Sequence, residues 1–259
     1  MSPSETTDAL LNLRKRILQL ALEAREGHVA SSFSILELLF YIYQNLEIRR
    51  PGIAGNSFVL SKGHAALAYY VVLEHFGFLT HADLNGFASS QETKLGGHPT
   101  RNPNLGIEVS TGSLGHGVPI AVGMALGEKI RNSRSDVYCL LGDGEFNEGT
   151  IHESLLLAHS LQLDNLVLFL DYNHSGDRAI DIHPLTPKIL AYGFEVQECD
   201  GNSLPSIGHA LDSLKRTGPS CIIAHTTKGF GSSIIAGDPS WHHRSPESIE
   251  MDSLIESLY

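Results

Sequence analysis

The sequence predicts an α/β fold in which a doubly wound, mostly parallel sheet is flanked by helices. Short apolar runs rich in β-branched or aromatic residues alternate with longer helical segments, a pattern typical of parallel strands that are covered on both faces. Stretches rich in glycine and histidine, such as SKGHA, GDG and TTKGFGS, directly follow the predicted strands. Ligands bind beyond the carboxyl ends of the strands in open α/β sheets, so these stretches indicate one shared site.

The predicted elements can be placed in order along the chain. Residues 8–25 carry leucines and isoleucines at spacings that form one helical stripe between charged positions. We expect a loop at 26–34 and a second helix at 35–46, which the Pro51-Gly52 pair closes. Beyond it, the predicted strands are 57–60, 137–141, 165–170, 194–199 and 220–225, and the predicted helices are 63–76, 149–161, 186–192 and 204–215.

Length and composition indicate a soluble, acidic protein. At 259 residues the chain can bury a substantial core, and we expect one domain over residues 1–259 with an N-terminal helical segment at about 6–48. The net charge of −11 argues against broad binding to nucleic acid or anionic membranes. Three widely spaced cysteines without a CxxC pair predict a reducing, cytoplasmic location. Neither a signal peptide nor an apolar run of roughly 18 residues is present.

The strongest motif is a Gly142-Asp143-Gly144 turn after one apolar strand, followed by Asn173 at the end of the next. Asn173 follows Asp143 by 30 residues, which is the length of a strand–helix–strand unit, so both should emerge side by side at one sheet edge. Mg²⁺ prefers oxygen ligands and commonly shares them with phosphate and water. Because the glycines let backbone N–H groups approach a phosphate, these residues predict a magnesium-diphosphate site.

Motifs of other ligand-binding classes are missing from the sequence. No GxxxxGK[ST] loop and no GxSxG elbow occurs, which disfavours Walker-type nucleotide binding and serine hydrolysis. The GSLGHG stretch at 112–117 has the wrong glycine spacing for a dinucleotide-binding GxGxxG motif. A Rossmann dehydrogenase is therefore disfavoured as well.

A GDG turn followed about 30 residues later by asparagine is the thiamine-diphosphate fingerprint, and the surrounding LLGDGEFNEGTIHESLLLAHSLQLDNLVLFLDYN resembles transketolases. The resemblance covers nearly the whole chain. It implies the diphosphate-binding domain of the thiamine-diphosphate-binding fold, with thiamine diphosphate and Mg²⁺, or Ca²⁺ or Mn²⁺ as a substitute, as cofactors. Four further segments resemble transketolases in the same order: REGHVASSFSILELL, FVLSKGHAALAYYVVL, LGGHPTRNPNLGIEVSTGSLGHGVPIAVGMALGEK and HTTKGFGSS.

The same resemblance implies roles for matching positions. Asp143, Asn173 and the backbone carbonyl of Ser175 match metal ligands. The matching catalytic residues are His28, His64, His98 and Glu148, the last at an interface between subunits. The matching cofactor contacts are His64, Gly112, Leu114, Gly142, Asp143, Gly144, Glu145, Asn173 and either His242 or His243.

The three catalytic histidines also have support from the residues themselves. His28, His64 and His98 each follow a glycine, which lets the backbone come close to a ligand. A neutral imidazole both accepts and donates hydrogen bonds near physiological pH, which suits proton transfer between carbonyl and hydroxyl groups.

The resemblance is to only one part of a full-length transketolase. The second domain of such enzymes binds the aminopyrimidine ring and supplies the glutamate that activates the cofactor. The resemblance therefore implies an N-terminal subunit that is inactive alone and pairs with a pyrimidine-domain partner in an α2β2 assembly. The implied reaction transfers a two-carbon ketol unit from a ketose, phosphorylated or not, to an aldehyde.

Two alternatives stay open at this point. One is another thiamine-diphosphate reaction on the same scaffold, such as keto-acid decarboxylation or acyloin synthesis, and the other is a non-catalytic binding subunit. Two departures from the family pattern bear on substrate preference: GHVASS around His28, where transketolases often have GHPG, and HSGDRAI after Asn173, where they have a more apolar stretch.

Overall fold

A five-stranded sheet forms the centre of the molecule, in a computed structural model that describes residues 2–25, 27–84, 87, 95–178 and 180–259. The strands lie in the order β1-β2-β3-β5-β4, and every neighbouring pair is parallel. The predicted parallel sheet is therefore confirmed. The strands are β1 (Ser57–Leu60), β2 (Val137–Gly142), β3 (Leu166–Tyr172), β4 (Glu195–Asp200) and β5 (Ser220–His225).

Helices cover both faces of the sheet, which confirms the doubly wound arrangement. Side chains of α1–α4, α9 and α10 form one core with one face of the sheet, and side chains of α6–α8 form a second core with the other face. The helices are α1 (Pro3–Ala24), α2 (Val29–Ser34), α3 (Leu36–Asn45), α4 (Ala66–His75), α5 (His81–Leu84), α6 (Gly117–Ile130), α7 (Gly149–Ser160), α8 (Leu185–Ala191), α9 (Leu204–Asp212) and α10 (Met251–Glu256).

The two cores explain why the strands appear as continuous apolar runs in the sequence. Strands β1, β2 and β3 are buried along their whole length, and successive residues such as Phe58 and Val59 enter opposite cores. Strand β4 lies at an edge and is mostly only half-buried, so its sequence is more polar. No helix of the described residues is long and apolar enough to cross a membrane.

The structure corrects the expected loop at 26–34. Residues Val29–Ser34 form α2, and every one of them is buried. The segment is rich in serine, but all of its serines are buried, and Ser34 donates a hydrogen bond to the buried carboxylate of Asp171. Helix α1 also begins at Pro3, earlier than predicted, because Ser2 and Glu5 form a capping box.

Helix α6 was not among the predicted elements. It contains three glycines and a proline, Gly117, Pro119, Gly123 and Gly127, which lower helix propensity and hide the amphipathic pattern. Close packing explains the first glycine, because a Cβ on Gly117 would lie 2.4 Å from the hydroxyl of Ser61 at the end of β1. The helix is therefore fixed by its contact with the strand ends.

Strands β2 and β3 are direct neighbours, with Gly142 paired to Asp171 in register. The chain that leaves β2 at Asp143 and the chain that leaves β3 at Asn173 therefore emerge side by side, as the spacing in the sequence predicted. The ends of β1 and β5 flank them at the same edge of the sheet.

Candidate active site

A buried carboxylate, that of Asp171 at the end of β3, connects the strand ends. Oδ1 accepts hydrogen bonds from Ser34 at 3.0 Å and from Thr226. Oδ2 accepts from Nζ of Lys62, which follows β1, and from Nδ2 of Asn173 at 2.8 Å. Asp171 is 0% exposed and Lys62 is 2% exposed. Buried charges are tolerated when they are paired and hydrogen-bonded, and this network meets both conditions.

Asn173 is oriented by that network. Its Nδ2 donates to Asp171 and, at 3.2 Å, to Ser34. The amide oxygen Oδ1 therefore points away from the buried carboxylate and accepts a hydrogen bond from the backbone N–H of Ser175 at 3.1 Å. This oxygen therefore lies beside Ser175, another of the predicted metal ligands.

Asp143 has a carboxylate oxygen with an unused lone pair. The residue is 3% exposed, and its backbone N–H donates to the carbonyl of Asp171 at 3.1 Å. Oδ1 accepts from the N–H of Gly144 at 2.7 Å, whereas Oδ2 is buried and has no hydrogen-bond partner among the described residues. Burial, and next the charge of Asp171, raises the pKa of Asp143. A cation beside Oδ2 would satisfy this oxygen.

The turns that follow β2 and β3 touch each other. A Cβ on Gly176 would lie 2.8 Å from the backbone nitrogen of Gly144, so only glycine permits this approach. The contact brings the Asp143 turn against the segment that carries Asn173 and Ser175. The structure thus brings together the three predicted metal ligands.

Glu145 connects the GDG turn to the segment at 111–117. It is 2% exposed, and its carboxylate accepts from the hydroxyl of Ser61 and from the N–H groups of Gly115 at 2.9 Å and Gly142 at 3.3 Å. Burial raises the pKa of Glu145. Both of its oxygens are thus used in holding protein groups, and we expect it to position the cofactor contacts at Gly112 and Leu114.

The predicted histidines come together as one group, the histidine cluster, with His28 at its centre. Its ring centroid lies 5.2 Å from that of His64, 6.4 Å from His98, 6.2 Å from His242 and 4.5 Å from His243. These residues come from well-separated segments of the sequence. Their convergence at the sheet edge could not be deduced from any one motif.

Backbone geometry fixes two members of the histidine cluster. His28 has a φ of 65°, in the left-handed region, immediately before α2. Gly27 lies so close to the backbone of His243 that a Cβ there would be 2.5 Å from the carbonyl oxygen. Gly112 has a φ of 152°, and a Cβ there would lie 3.0 Å from Cδ2 of His98. Glycines thus allow the approach of the segments that carry the imidazoles.

Burial keeps the central imidazoles neutral. Burial first, and then the nearby charges of His243 and His242, lowers the pKa of His28 to about 4. Burial, and next the charge of Lys62, lowers the pKa of His64 to about 2. At neutral pH both rings are therefore uncharged hydrogen-bonding groups.

His242 and His243, which the sequence left as alternatives, occupy different positions. Nδ1 of His242 lies 2.8 Å from Nζ of Lys228, and both residues line a cavity of about 390 Å³. Asn173 and Ser175 line the same cavity. His243 instead packs edge-on against the ring of His28. The geometry favours His242 as the residue that faces a ligand in the cavity.

Glu148 and Leu114 lie at the surface. Glu148 is exposed at the start of α7, and Leu114 is 37% exposed. Gly115 connects the two segments, since a Cβ there would lie 2.6 Å from Cβ of Glu148. Both side chains are therefore free to contact a molecule that approaches from outside the chain.

Sequence reasoning missed five residues of the site. Four of them belong to the buried network around Asn173, and the fifth is a cation in the cavity. For Lys62, Asp171, Thr226 and Lys228 the available signal was polarity at or just after the ends of apolar strands, whereas Ser34 lies in α2, and the partners are far apart in sequence. The missed residues are Ser34, Lys62, Asp171, Thr226 and Lys228.

Comparison with known proteins assigns the family. Residues 8–255 match the family model described as "Transketolase, thiamine diphosphate binding domain". The chain therefore belongs to the transketolase family, and the predicted thiamine-diphosphate-binding domain is confirmed.

Two similar proteins have nearly the same length as this chain, and each is named as one subunit of a transketolase. The first, from the apulose-4-phosphate transketolase of Actinobacillus succinogenes, is 37% identical over 95% of this chain and 93% of its own length. The second, from the 6-deoxy-6-sulfo-D-fructose transketolase of a Clostridium species, is 35% identical, with 89% and 88% covered. These relatives confirm the predicted N-terminal subunit of a heteromeric transketolase.

Undivided transketolases extend well beyond the matched region. Human transketolase is 34% identical over 97% of this chain, but the match covers only 42% of the human protein. The transketolase structure from Campylobacter jejuni superposes with a TM-score of 0.83 at 30% identity, covering 95% of this chain and 41% of that one. The chain thus spans less than half the length of these enzymes.

We predict that Asp171→Asn destabilises the chain by about 3–5 kcal/mol, because it leaves the Lys62 charge buried and unpaired. Asp164→Asn is the matched control, since Asp164 pairs with Lys129 at 2.9 Å on the surface and its loss should cost only about 0.2–1 kcal/mol. Urea denaturation measures both. Equal losses in the two variants would contradict the central role of Asp171.

We predict that acid destabilises the chain partly through His28. Its pKa is 6.5 when unfolded and about 4 when folded, so the unfolded chain takes up a proton first as the pH falls. The free energy of unfolding should therefore decrease between pH 6.5 and about 4, and less steeply in His28→Asn. Urea denaturation across this pH range tests it. Identical slopes for variant and wild type would disprove the assignment.

Proposed function

We propose that the strand-end site binds Mg²⁺ and the diphosphate of thiamine diphosphate. The observation that carries the proposal is the buried Oδ2 of Asp143, which has no hydrogen-bond partner among the described residues and lies beside the strand end that bears Asn173. Together with the Asn173 amide oxygen and the backbone carbonyl of Ser175, it offers the hard oxygen ligands that Mg²⁺ prefers. Phosphate and water would complete the coordination.

The cavity beside the metal ligands suits the diphosphate. Lys228 brings a positive charge to it, next to Ser175, whose hydroxyl lies 3.1 Å from Nζ. His242 lies against Lys228 in the same cavity, and we assign the predicted diphosphate-contacting histidine to it. Gly144 offers a backbone unobstructed by a side chain. A local cationic group and a metal ion can hold an anion despite the net negative charge of the chain.

The histidine cluster would orient the substrate and move its protons. When bound, thiamine diphosphate supplies the nucleophilic carbon that takes up the two-carbon ketol unit. His28 and His98 would hydrogen-bond to hydroxyl and carbonyl oxygens of the ketose and of the acceptor aldehyde. Neutral His28 can accept a proton from a hydroxyl and return it to a carbonyl oxygen, whereas His64, with its lower pKa, would act as a neutral hydrogen-bonding group. The proposed reaction is ketol transfer in the cytoplasm.

The partner in this proposal carries the pyrimidine-binding domain, and the two chains form an α2β2 assembly. Helices α6 and α7 pack together and expose large apolar side chains, including Ile120 and Leu156, which are 40% and 58% exposed. A cavity of about 920 Å³ opens beside Ile120 and Met124 of α6. Exposed apolar surface of this kind supports docking of another protein, and Glu148 lies at the start of α7.

We predict that Asp143→Ala weakens Mg²⁺-dependent binding of thiamine diphosphate by more than about 100-fold, the upper range for losing a group that merely supports a ligand. Isothermal titration of the complex with and without Mg²⁺ measures this. Asp164→Asn, which changes an exposed carboxylate elsewhere, should bind normally. Equal affinity in Asp143→Ala and wild type would exclude the metal assignment.

We predict that the chain transfers ketol units only when it is mixed with its pyrimidine-domain partner. Leu156→Glu should weaken assembly roughly 10–100-fold, because about 1.5–3 kcal/mol of leucine burial is lost. Ile249→Glu is the matched control, since Ile249 is 91% exposed and lies outside α6 and α7. Analytical ultracentrifugation and coupled activity assays report the result. Full activity of the chain alone would refute the divided enzyme.

A further inference from the structure

The segment after Asn173 is polar, and the proposed function uses only Ser175 of its HSGDRAI sequence. The segment holds His174, and Asp177 in the 3₁₀ turn Gly176–Arg178. His183 returns to them just before α8. One ligand atom from each of these three side chains lies within 4.8 Å of the other two. No other group of three histidine, cysteine or acidic side chains in the described residues meets this geometry.

The distances are close to those of a metal site. Nδ1 of His174 lies 3.0 Å from Oδ2 of Asp177, and Nε2 of His183 lies 3.9 Å from the same oxygen. Ligand atoms around a tetrahedral Zn²⁺ with bonds of about 2.0–2.1 Å are on the order of 3.3 Å apart. The histidine side chains are 62% and 52% exposed, so rotation of their rings can supply the small adjustment.

The hydroxyl of Tyr172 holds the carboxylate of Asp177 in place. The Tyr172 side chain is buried at the end of β3, and its hydroxyl donates to Oδ2 of Asp177 at 2.8 Å and contacts Nε2 of His183. The contact occupies Nε2, so metal binding through this atom requires the exposed His183 ring to rotate away from the hydroxyl, which keeps its bond to the carboxylate and still orients it. Oδ1 of Asp177 is buried and accepts no hydrogen bond from the described residues. The hydrogen bonds of this network all go to Oδ2, and a cation that binds both carboxylate oxygens would satisfy Oδ1 as well.

We propose that His174, Asp177 and His183 form a binding site for one transition-metal dication of the zinc class, with water in the remaining position. Two imidazoles and one carboxylate suit Zn²⁺, Co²⁺ or Ni²⁺, whereas Mg²⁺ selects oxygen ligands. The site is therefore chemically distinct from the magnesium site proposed at Asp143. Because His174 lies between Asn173 and Ser175, the dication braces the segment that carries those two residues.

Co²⁺ titration of the metal-free full-length chain tests the proposal, without thiamine diphosphate, Mg²⁺ or partner. Tetrahedral Co²⁺ absorbs strongly in the visible region. We expect one such site, from which Zn²⁺ displaces Co²⁺ and excess Mg²⁺ does not. His174→Ala combined with His183→Ala should abolish the band. Tyr172→Phe, which keeps the buried ring, should weaken Co²⁺ binding about 10–100-fold.

The histidine cluster provides the control, because it brings several imidazoles together but is not among the described groups with three ligand atoms within 4.8 Å of one another. His28→Asn combined with His98→Asn should keep the visible band and its affinity. Absence of the band in the wild-type chain overturns the proposal, as does unchanged Co²⁺ affinity in the His174→Ala, His183→Ala variant or in Tyr172→Phe. None of these outcomes depends on the site at Asp143, so the two proposals fail separately.

Discussion

The buried ion pair between Lys62 and Asp171 is the interaction on which the rest of the site depends. It joins the end of β1 to the end of β3, and the same carboxylate accepts from Ser34 of α2 and Thr226 after β5. Two opposite charges in the core stabilise a fold only when nearly all their hydrogen-bonding capacity is met. The partners of Asp171 meet it, and in doing so they fix four segments of the chain relative to one another.

The consequence is an orientation of ligands that the strands alone would not provide. The backbone carbonyl of Asp171 holds the N–H of Asp143, and its side chain turns the amide of Asn173. Both groups thereby present oxygen toward one place before any ligand arrives. Preorganisation of this kind lowers the cost of binding. Burial, and next the charge of Asp171, raises the pKa of Asp143, and a cation bound beside Asp143 would offset both effects.

The sequence predicted the features that depend on local pattern and spacing. The parallel strands, and the side-by-side exit of Asp143 and Asn173, follow from continuous apolar runs and a 30-residue interval. Contacts between distant segments had no such signal: Ser34 and Asp171 are 137 positions apart. The helix that carries Ser34 was predicted to be a loop because it contains several polar residues, although all of them are buried. The roles assigned to the histidines came from family resemblance, and their mutual distances came only from the structure.

In our proposal, this chain forms the diphosphate half of an active site whose pyrimidine half belongs to another subunit. The most direct test is calorimetric titration of the isolated chain in the presence of Mg²⁺. It compares the affinities of thiamine diphosphate, inorganic pyrophosphate and unphosphorylated thiamine. We expect thiamine diphosphate and pyrophosphate to bind with affinities within about tenfold of each other, or about 1.4 kcal/mol, and thiamine not to bind measurably. Tight binding of thiamine, or a far greater affinity for thiamine diphosphate than for pyrophosphate, would contradict the proposal.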